Sequence, residues 1–343
     1  MSAVASGAAS FTGLVDLAAA ELGGRTLATS DDFFAGMENL LKPGRATFVP
    51  GKYTDRGKWM DGWESRRKRG GGHDFCLVQL GAPGRVLGLD IDTQHFVGNH
   101  PPFASVEGVR APRGTSVEDV LRLPFVPLLA ESPLRPDAQN LFAARGAEAV
   151  SHVRLNIFPD GGVARFRVFG EVEPDFSSAA VDAETAPHVE PGWVDLAAVT
   201  SGGLPLACSD AFFGPMHNLL LPGRASDMSG GWETRRKRAP GHDWIVIRLG
   251  ARGRPHLVEV DTNHFKGNYP DRCALEGVDA ADLPLTQLVA SAAFRPLVPA
   301  QKLAAHTRHF FAVDAPAPVT HVRLSIFPDG GVSRLRVWGT RDG

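Results

Sequence analysis

The chain carries one long motif twice. Gly62-Trp63-Glu64-Ser65-Arg66-Arg67-Lys68-Arg69 returns as Gly231-Trp232-Glu233-Thr234-Arg235-Arg236-Lys237-Arg238, with Trp63 and Trp232 169 positions apart (232 − 63). The same spacing carries His73-Asp74 onto His242-Asp243, Asp92-Thr93 onto Asp261-Thr262, and His152 and Asp160 onto His321 and Asp329. Upstream, Asp16 and Asp195 are 179 apart (195 − 16), so the first copy holds ten extra residues inside Thr47–Asp61. A chain that repeats itself at this scale is expected to fold as two copies of one unit. Its 343 residues give each copy enough length to bury a core. The expected organisation is a disordered tail (1–12), a first repeat (13–172), an acidic linker with Pro174 and Pro187 (173–190) and a second repeat (191–343).

Bulk properties narrow the class. An apolar fraction of 43% and a charged fraction of 22% describe a globular protein. A net charge of −2 provides no global field for nucleic acid. Cys76, Cys208 and Cys273 are odd in number and none matches another at the repeat spacing, so no disulfide framework is expected. Met1 to Ser10 has neither a basic nor an apolar segment of a signal peptide, and no apolar run reaches membrane-spanning length. These features predict a cytoplasmic protein with neither membrane nor nucleic-acid partners. They leave a homo-oligomer open.

Short apolar or alternating segments separated by Gly and Pro predict an all-β fold of two tandem β-sandwiches. Phe75 to Leu80 and Trp244 to Leu249 read as buried strands. Leu87 to Asp92 alternates, with Leu89 and Ile91 inward and Asp90 and Asp92 outward. His152 to Phe158, the Pro159-Asp160-Gly161-Gly162 turn and Val163 to Phe169 read as a hairpin, repeated at His321 to Trp338. Ser30-Asp31-Asp32-Phe33-Phe34 reads as a turn whose aromatics plug the core. Residues 118–145 and 287–311 are compatible with a strand, a short helix or both.

Two elements could carry chemistry. A lone basic run is most simply a solvated loop, but this one keeps a Trp, a Glu and a His-Asp at fixed distances in both copies. Some of its arginines are expected to bind an anion and others to pair with local acids such as Glu64 and Glu233. The second element is Asp92-Thr93-Gln94-His95-Phe96-Val97-Gly98-Asn99, with its partner Asp261 to Asn268, where the chain leaves a strand. Strand spacing puts Asp90 and Asp92, and likewise Glu259 and Asp261, on one face roughly 7 Å apart. Neighbouring carboxylates raise one another's pKa, which suits acid/base work, although each could instead be a solvated group or a turn cap. His95 and His264 could be general acids, metal ligands or turn donors. Arg154, Arg165 and Arg167, with Arg323, Arg334 and Arg336, alternate away from the core and are expected on a wet face or an anion site. No CxxC, HExxH, P-loop or nucleophile elbow is present, so neither metal nor cofactor is expected.

Gly-Trp-Glu-Ser/Thr-Arg-Arg-Lys-Arg, Gly-His-Asp-Phe/Trp, Asp-Thr-x-His-Phe-x-Gly-Asn and His-Val-Arg-Leu-x-Ile-Phe-Pro-Asp-Gly-Gly-Val, each present twice, resemble the allantoicase family from about Gly13 to Gly339. The resemblance implies repeated jelly rolls of the galactose-binding-like kind. It also implies hydrolysis of the small anion allantoate to ureidoglycolate and urea in purine (allantoin) degradation. Such a substrate asks for a cation, polar partners for its ureido groups, and an acid and a base. Asp92, His95, Asp261 and His264 are the expected acid/base groups. Trp63, Glu64, Arg66, Arg67, Arg69, His73 and Asn99, with Trp232, Glu233, Arg235, Arg236, Arg238, His242 and Asn268, are the expected binding groups. A non-catalytic sugar-binding module is the alternative, disfavoured by only two Tyr in the chain. His100 against Tyr269 and Val97 against Lys266 suggest unequal copies, and one site per copy or one shared cleft both stay open.

Overall fold

Alternating apolar residues need a second layer to cover their inward face, and each repeat supplies it from its own strands. The computed structural model describes residues 10–177 and 181–342. Residues 1–9 of the expected tail lie outside the described residues, but its last part is ordered: Ser10–Gly13 is a 3-10 turn, and Phe11 is buried against Phe169. The chain divides into two compact units, Met1–Glu173 and Pro174–Gly343.

In the first unit, β1 is Val15–Asp16, β2 Arg25–Thr29, β3 Asp74–Asp92 and β4 Phe103–Val109. They are followed by β5 Val126–Pro133, β6 Leu141–Ala143, β7 Ala149–Phe158 and β8 Arg165–Val172. Among the described residues these strands form an eight-stranded sheet ordered β1-β8-β3-β7-β4-β5, with β2 and β6 also paired to β3. β3 runs through both layers of the sandwich. Its first part, Asp74 to Gln79, pairs with β7 and β2, and its last part, Gly84 to Asp92, with β8. The core lies between the layers, with Cys76, Val78, Val153, Leu155 and Ile157 on one side and Leu89, Ile91, Phe166 and Val168 on the other. Each fully buried aliphatic or Phe side chain of this kind contributes about 1.5–3 kcal/mol. The hardest segment to read, 118–145, contains both alternatives: helix Val117–Arg122, capped by Ser116 on Asp119 N, then β5 and β6.

The second unit repeats the plan. β9 is Val194–Asp195, β10 Leu204–Cys208, β11 Asp243–Asp261 and β12 Arg272–Val278. β13 is Arg295–Lys302, β14 Arg308–Ala312, β15 Val319–Phe327 and β16 Arg334–Arg341. The sheet order is β9-β16-β11-β15-β12-β13, with β10 and β14 on β11. The tandem all-β sandwich expected from the sequence is therefore the architecture found.

Three further details differ from expectation. The acidic segment after Glu173 is held to the second unit: Arg308 binds Asp182 at 2.8 Å and Glu184 at 3.3 Å, and Thr185 is buried. That guanidinium holds the Asp182 carboxyl well below the usual range. Arg165, Arg334 and Arg336 are buried rather than wet, because loops at the end of the sandwich cover that face. Arg165 binds the Asp61 carboxylate at 2.7 Å and the carbonyls of Asn39, Asp61 and Ala164. Lastly, Phe33 and Phe34 do not plug the core but stand exposed, edge to face with each other.

Candidate active site

At one end of the first sandwich the loop Thr93 to His100 leaves β3 and turns around Phe96, which is fully buried with Ala46, Met60 and Ala164. His95 sits just before it at φ 70°, a left-handed conformation uncommon outside glycine. Its backbone N–H reaches Asp137 Oδ1 at 2.7 Å, and its Nε2 lies 3.2 Å from Ala46 O. A carbonyl only accepts, so that contact puts the ring proton on Nε2. Asn99 is fixed from the far hairpin, because Gly162 N donates to its carbonyl at 2.7 Å. A Cβ on Gly161 would stand 2.8 Å from that same carbonyl oxygen and 2.7 Å from Pro101 N. The Asp-Gly-Gly turn is thus a mould for the Asn99 loop.

Asn99 Nδ2 donates to Glu64 Oε1 at 2.7 Å. The Glu64 backbone is clamped by Ala35 on one side and Gly162 on the other. Burial pushes the Glu64 carboxyl above its ordinary pKa, against the Asn99 hydrogen bond and the charge of Lys58. Two adjoining pockets of about 400 and 410 Å³ share Phe34, Glu64, Gly98 and Asn99. One extends past Lys58, Met60, His95 and Val97. The other extends past Ser65, Arg67, His100 and Asp160.

The basic run alternates in its contacts. Arg66 binds Asp31 at 2.6 Å and lies over Phe33, and Lys68 binds Asp74 at 2.7 Å. Arg67 is exposed, lines the cleft, and has no ion-pair partner among the described residues. Trp63 is fully buried with Nε1 on Asp31 O, which makes it a core residue rather than a binding surface. Arg69 is exposed outside both pockets, and His73, whose ring packs tilted against Phe158, lines neither.

Asp92 and Asp261 are not in the cleft. Asp92 is 2% exposed, accepts from Gln94 N at 2.8 Å, and lies 3.3 Å from Arg45. Asp261 is fully buried, accepts from Asn263 N at 2.9 Å, and takes both Arg224 contacts at 3.0 and 3.2 Å. Both close the base of their loops, which is the turn-capping reading of the same spacing. The neighbouring Asp90 is pushed up to about 6 by burial first and the Asp92 charge second. It meets Gln139, whereas its counterpart Glu259 meets Arg308 at 3.1 Å.

The comparisons with known proteins bear on the whole chain. The sequence model of the allantoicase repeat matches residues 15–173 and again 194–342. The chain belongs to the allantoicase family. It is 47% identical over 331 residues to a probable allantoicase of Burkholderia mallei, spanning 96% of this chain and 95% of that one. A probable allantoicase of Pseudomonas fluorescens is 45% identical over 97% of this chain and 98% of its own length. Among solved structures, the crystal structure of allantoicase from Saccharomyces cerevisiae superposes with a TM-score of 0.80 at 37% identity, covering 95% of this chain and 92% of that one.

Within this allantoicase-family chain the second repeat rebuilds much of the end-loop arrangement. Asn268 Nδ2 hydrogen-bonds Glu233 Oε1, Arg235 binds Asp210 at 2.7 Å, and Lys237 binds Asp243 at 2.8 Å. His264 repeats φ 68° with Nε2 on Ala225 O at 3.0 Å. Trp232 is fully buried, while Arg236 and Arg238 are exposed. His242 packs tilted against Phe327 and lines a groove of about 620 Å³ with Glu276 and Arg323. Sequence reasoning missed Phe34, Lys58 and Asp160 as cleft residues. The signal for Phe34 was the repeated Phe-Phe pair, and for Asp160 the repeated turn. Lys58 lies in the unrepeated insertion and left no such signal.

Proposed function

We propose that this chain is an allantoicase: it hydrolyses allantoate to ureidoglycolate and urea, a step of purine degradation. The observation that carries this reading is the match of both repeats to the allantoicase family, and the geometry beside it is the Glu64 carboxyl held by Asn99 at the junction of two pockets. Glu64 takes the acid/base role expected of Asp92, and His95 acts by holding the loop.

Allantoate has one carbon bearing a carboxylate, a hydrogen and two ureido nitrogens. Urea leaves poorly unless its nitrogen is protonated. Protonated Glu64 gives its proton to that nitrogen as the C–N bond breaks. The lone pair of the other ureido nitrogen forms a C=N bond to the carbon, and urea departs. Glu64, now a carboxylate, takes a proton from water as the water oxygen bonds to the carbon. The C=N pair returns to nitrogen, giving ureidoglycolate with Glu64 protonated again. Arg67 and Asp160 suit a ureido group, the guanidinium donating to its carbonyl and the carboxylate accepting from its N–H.

Residues 13–172 and 191–343 are the two repeats in this reading. Among the described residues no helix is long and apolar enough to cross a membrane. A cytoplasmic location is part of the proposal, and nucleic acid has no role in it. The decisive assay incubates pure protein with allantoate and measures urea, ureidoglycolate and ammonia. Urea and ureidoglycolate in equal amounts are expected. Ammonia in place of urea, or no turnover, would refute the assignment and favour a binding module.

A further inference from the structure

The first repeat has fifteen residues, Thr47 to Asp61, where the second has five, Ser226 to Gly230. The surplus folds as a small hairpin, Tyr53–Thr54 against Gly57–Lys58. It is tied down by Trp59 N on Lys52 O at 3.0 Å and by Arg56 Nη1 on Phe33 O at 3.2 Å. Lys58 Nζ stands 4.6 Å from the centre of the Phe48 ring, which in turn packs on His95. Lys58 therefore reaches the pocket that also holds His95, Met60 and Val97.

The two pockets differ in how their cations are placed. The Arg67 pocket is lined by Lys68 as well, but that ammonium is held by the Asp74 carboxylate at 2.7 Å, and Arg67 shares its pocket with the Asp160 carboxylate, whose Oδ2 accepts from Lys68 N and whose other oxygen suits an N–H group better than a second anion. The Lys58 pocket has no carboxylate besides Glu64 among its lining residues, and Lys58 itself makes no ion pair among the described residues. We propose that Lys58 binds the substrate carboxylate and so fixes which way allantoate lies across Glu64. The inference rests on the allantoate reading above. It gives a reason for a substitution between the repeats: Lys266 stands where the first repeat has Val97 (266 − 97 = 169), so the second repeat, which lacks the hairpin, carries a cation on its Asn loop instead.

The test measures kcat and KM for allantoate in wild type, Lys58→Met, Lys58→Arg, Lys52→Ala and the double variant Lys58→Met/Val97→Lys. Lys52 is the control, because it lies on the Trp59 ring at 3.8 Å and does not line the cleft. A lost charge-assisted contact made in both ground and transition states raises KM with little change in kcat. The expected rise in Lys58→Met is about 10- to 100-fold. Lys58→Arg retains most of the affinity, Lys52→Ala leaves KM unchanged, and Val97→Lys restores affinity to Lys58→Met. An unchanged KM in Lys58→Met, or an equal rise in Lys52→Ala, overturns the inference while allantoate turnover by wild type still stands. Absence of turnover by wild type overturns the underlying reading instead.

Discussion

Asn99 Nδ2 holds Glu64 Oε1 at 2.7 Å, while the Asn99 carbonyl is itself held by Gly162 N at 2.7 Å. One asparagine thus joins the proposed acid to the turn on the opposite strand pair. Only one carboxyl oxygen is used in that contact, which leaves the other for substrate.

Glu64→Gln should lower kcat by about 10²–10⁴ with the fold intact, the range expected for losing a proton-transfer group. Circular dichroism and urea release check both halves of the statement. Wild-type activity on this variant would remove Glu64 from the mechanism.

The Asn99 hydrogen bond opposes the burial that raises Glu64, so removing it raises the carboxyl further. Because the reaction starts from protonated Glu64, kcat/KM falls as pH rises through its pKa. Asn99→Ala should move that falling limb to higher pH, besides lowering the rate. A limb that stays in place or moves down contradicts the acid role.

Asp90 gives a stability prediction. Burial lifts its folded-state pKa from 3.8 to about 6, so the native state binds this proton more tightly than the unfolded chain. The ionised form is penalised in full above pH 6, and the penalty disappears as pH falls towards 4. Asp90→Asn should therefore stabilise the protein at pH 8 by roughly 2–3 kcal/mol, with the gain closing near pH 4. Denaturant midpoints across pH decide it, and a gain independent of pH would assign the effect elsewhere.

Gly161 at φ 141° faces Asn99 and Pro101 with no room for a Cβ. Gly161→Ala should cost about 1–3 kcal/mol in stability. It should also displace the Asn99 loop, and a 1 Å error in such a loop reduces turnover on the order of 10²-fold. Thermal melts and urea release, read side by side, separate the two losses. Full activity in a folded Gly161→Ala protein would show that the turn does not set the loop.

Asp61→Ala strands the Arg165 guanidinium, which is 3% exposed, without its carboxylate. A loss of about 3–5 kcal/mol is expected. Equilibrium unfolding measures it, and a loss below 1 kcal/mol would show that the loop carbonyls alone satisfy Arg165.

The sequence made the duplication, the strands and the closing hairpins legible, because period-2 burial and turn residues are local properties. It also marked Glu64, Arg67 and Asn99 as candidates through their doubled polar context, and these line the pockets. What it could not convey was coverage. Alternation puts Arg165 and Asp92 on the non-core face, but only the folded loops reveal that this face is itself covered. The same chain spacing that suggests a carboxylate pair also produces a turn cap, and the backbone N–H of Gln94 decides between them. Lys58 lies in a segment with no counterpart, so repetition could not mark it.

β3 is the shared spine of both layers of the sandwich, paired at one end to β7 and at the other to β8. Neither layer can peel off while that strand keeps its place, so opening is all or nothing within a unit. The amides of Leu77 and Leu89, on opposite ends of the spine, should exchange with solvent through the same global event. The end loops are outside that constraint, which is why ten residues could enter one repeat without disturbing the strands beneath.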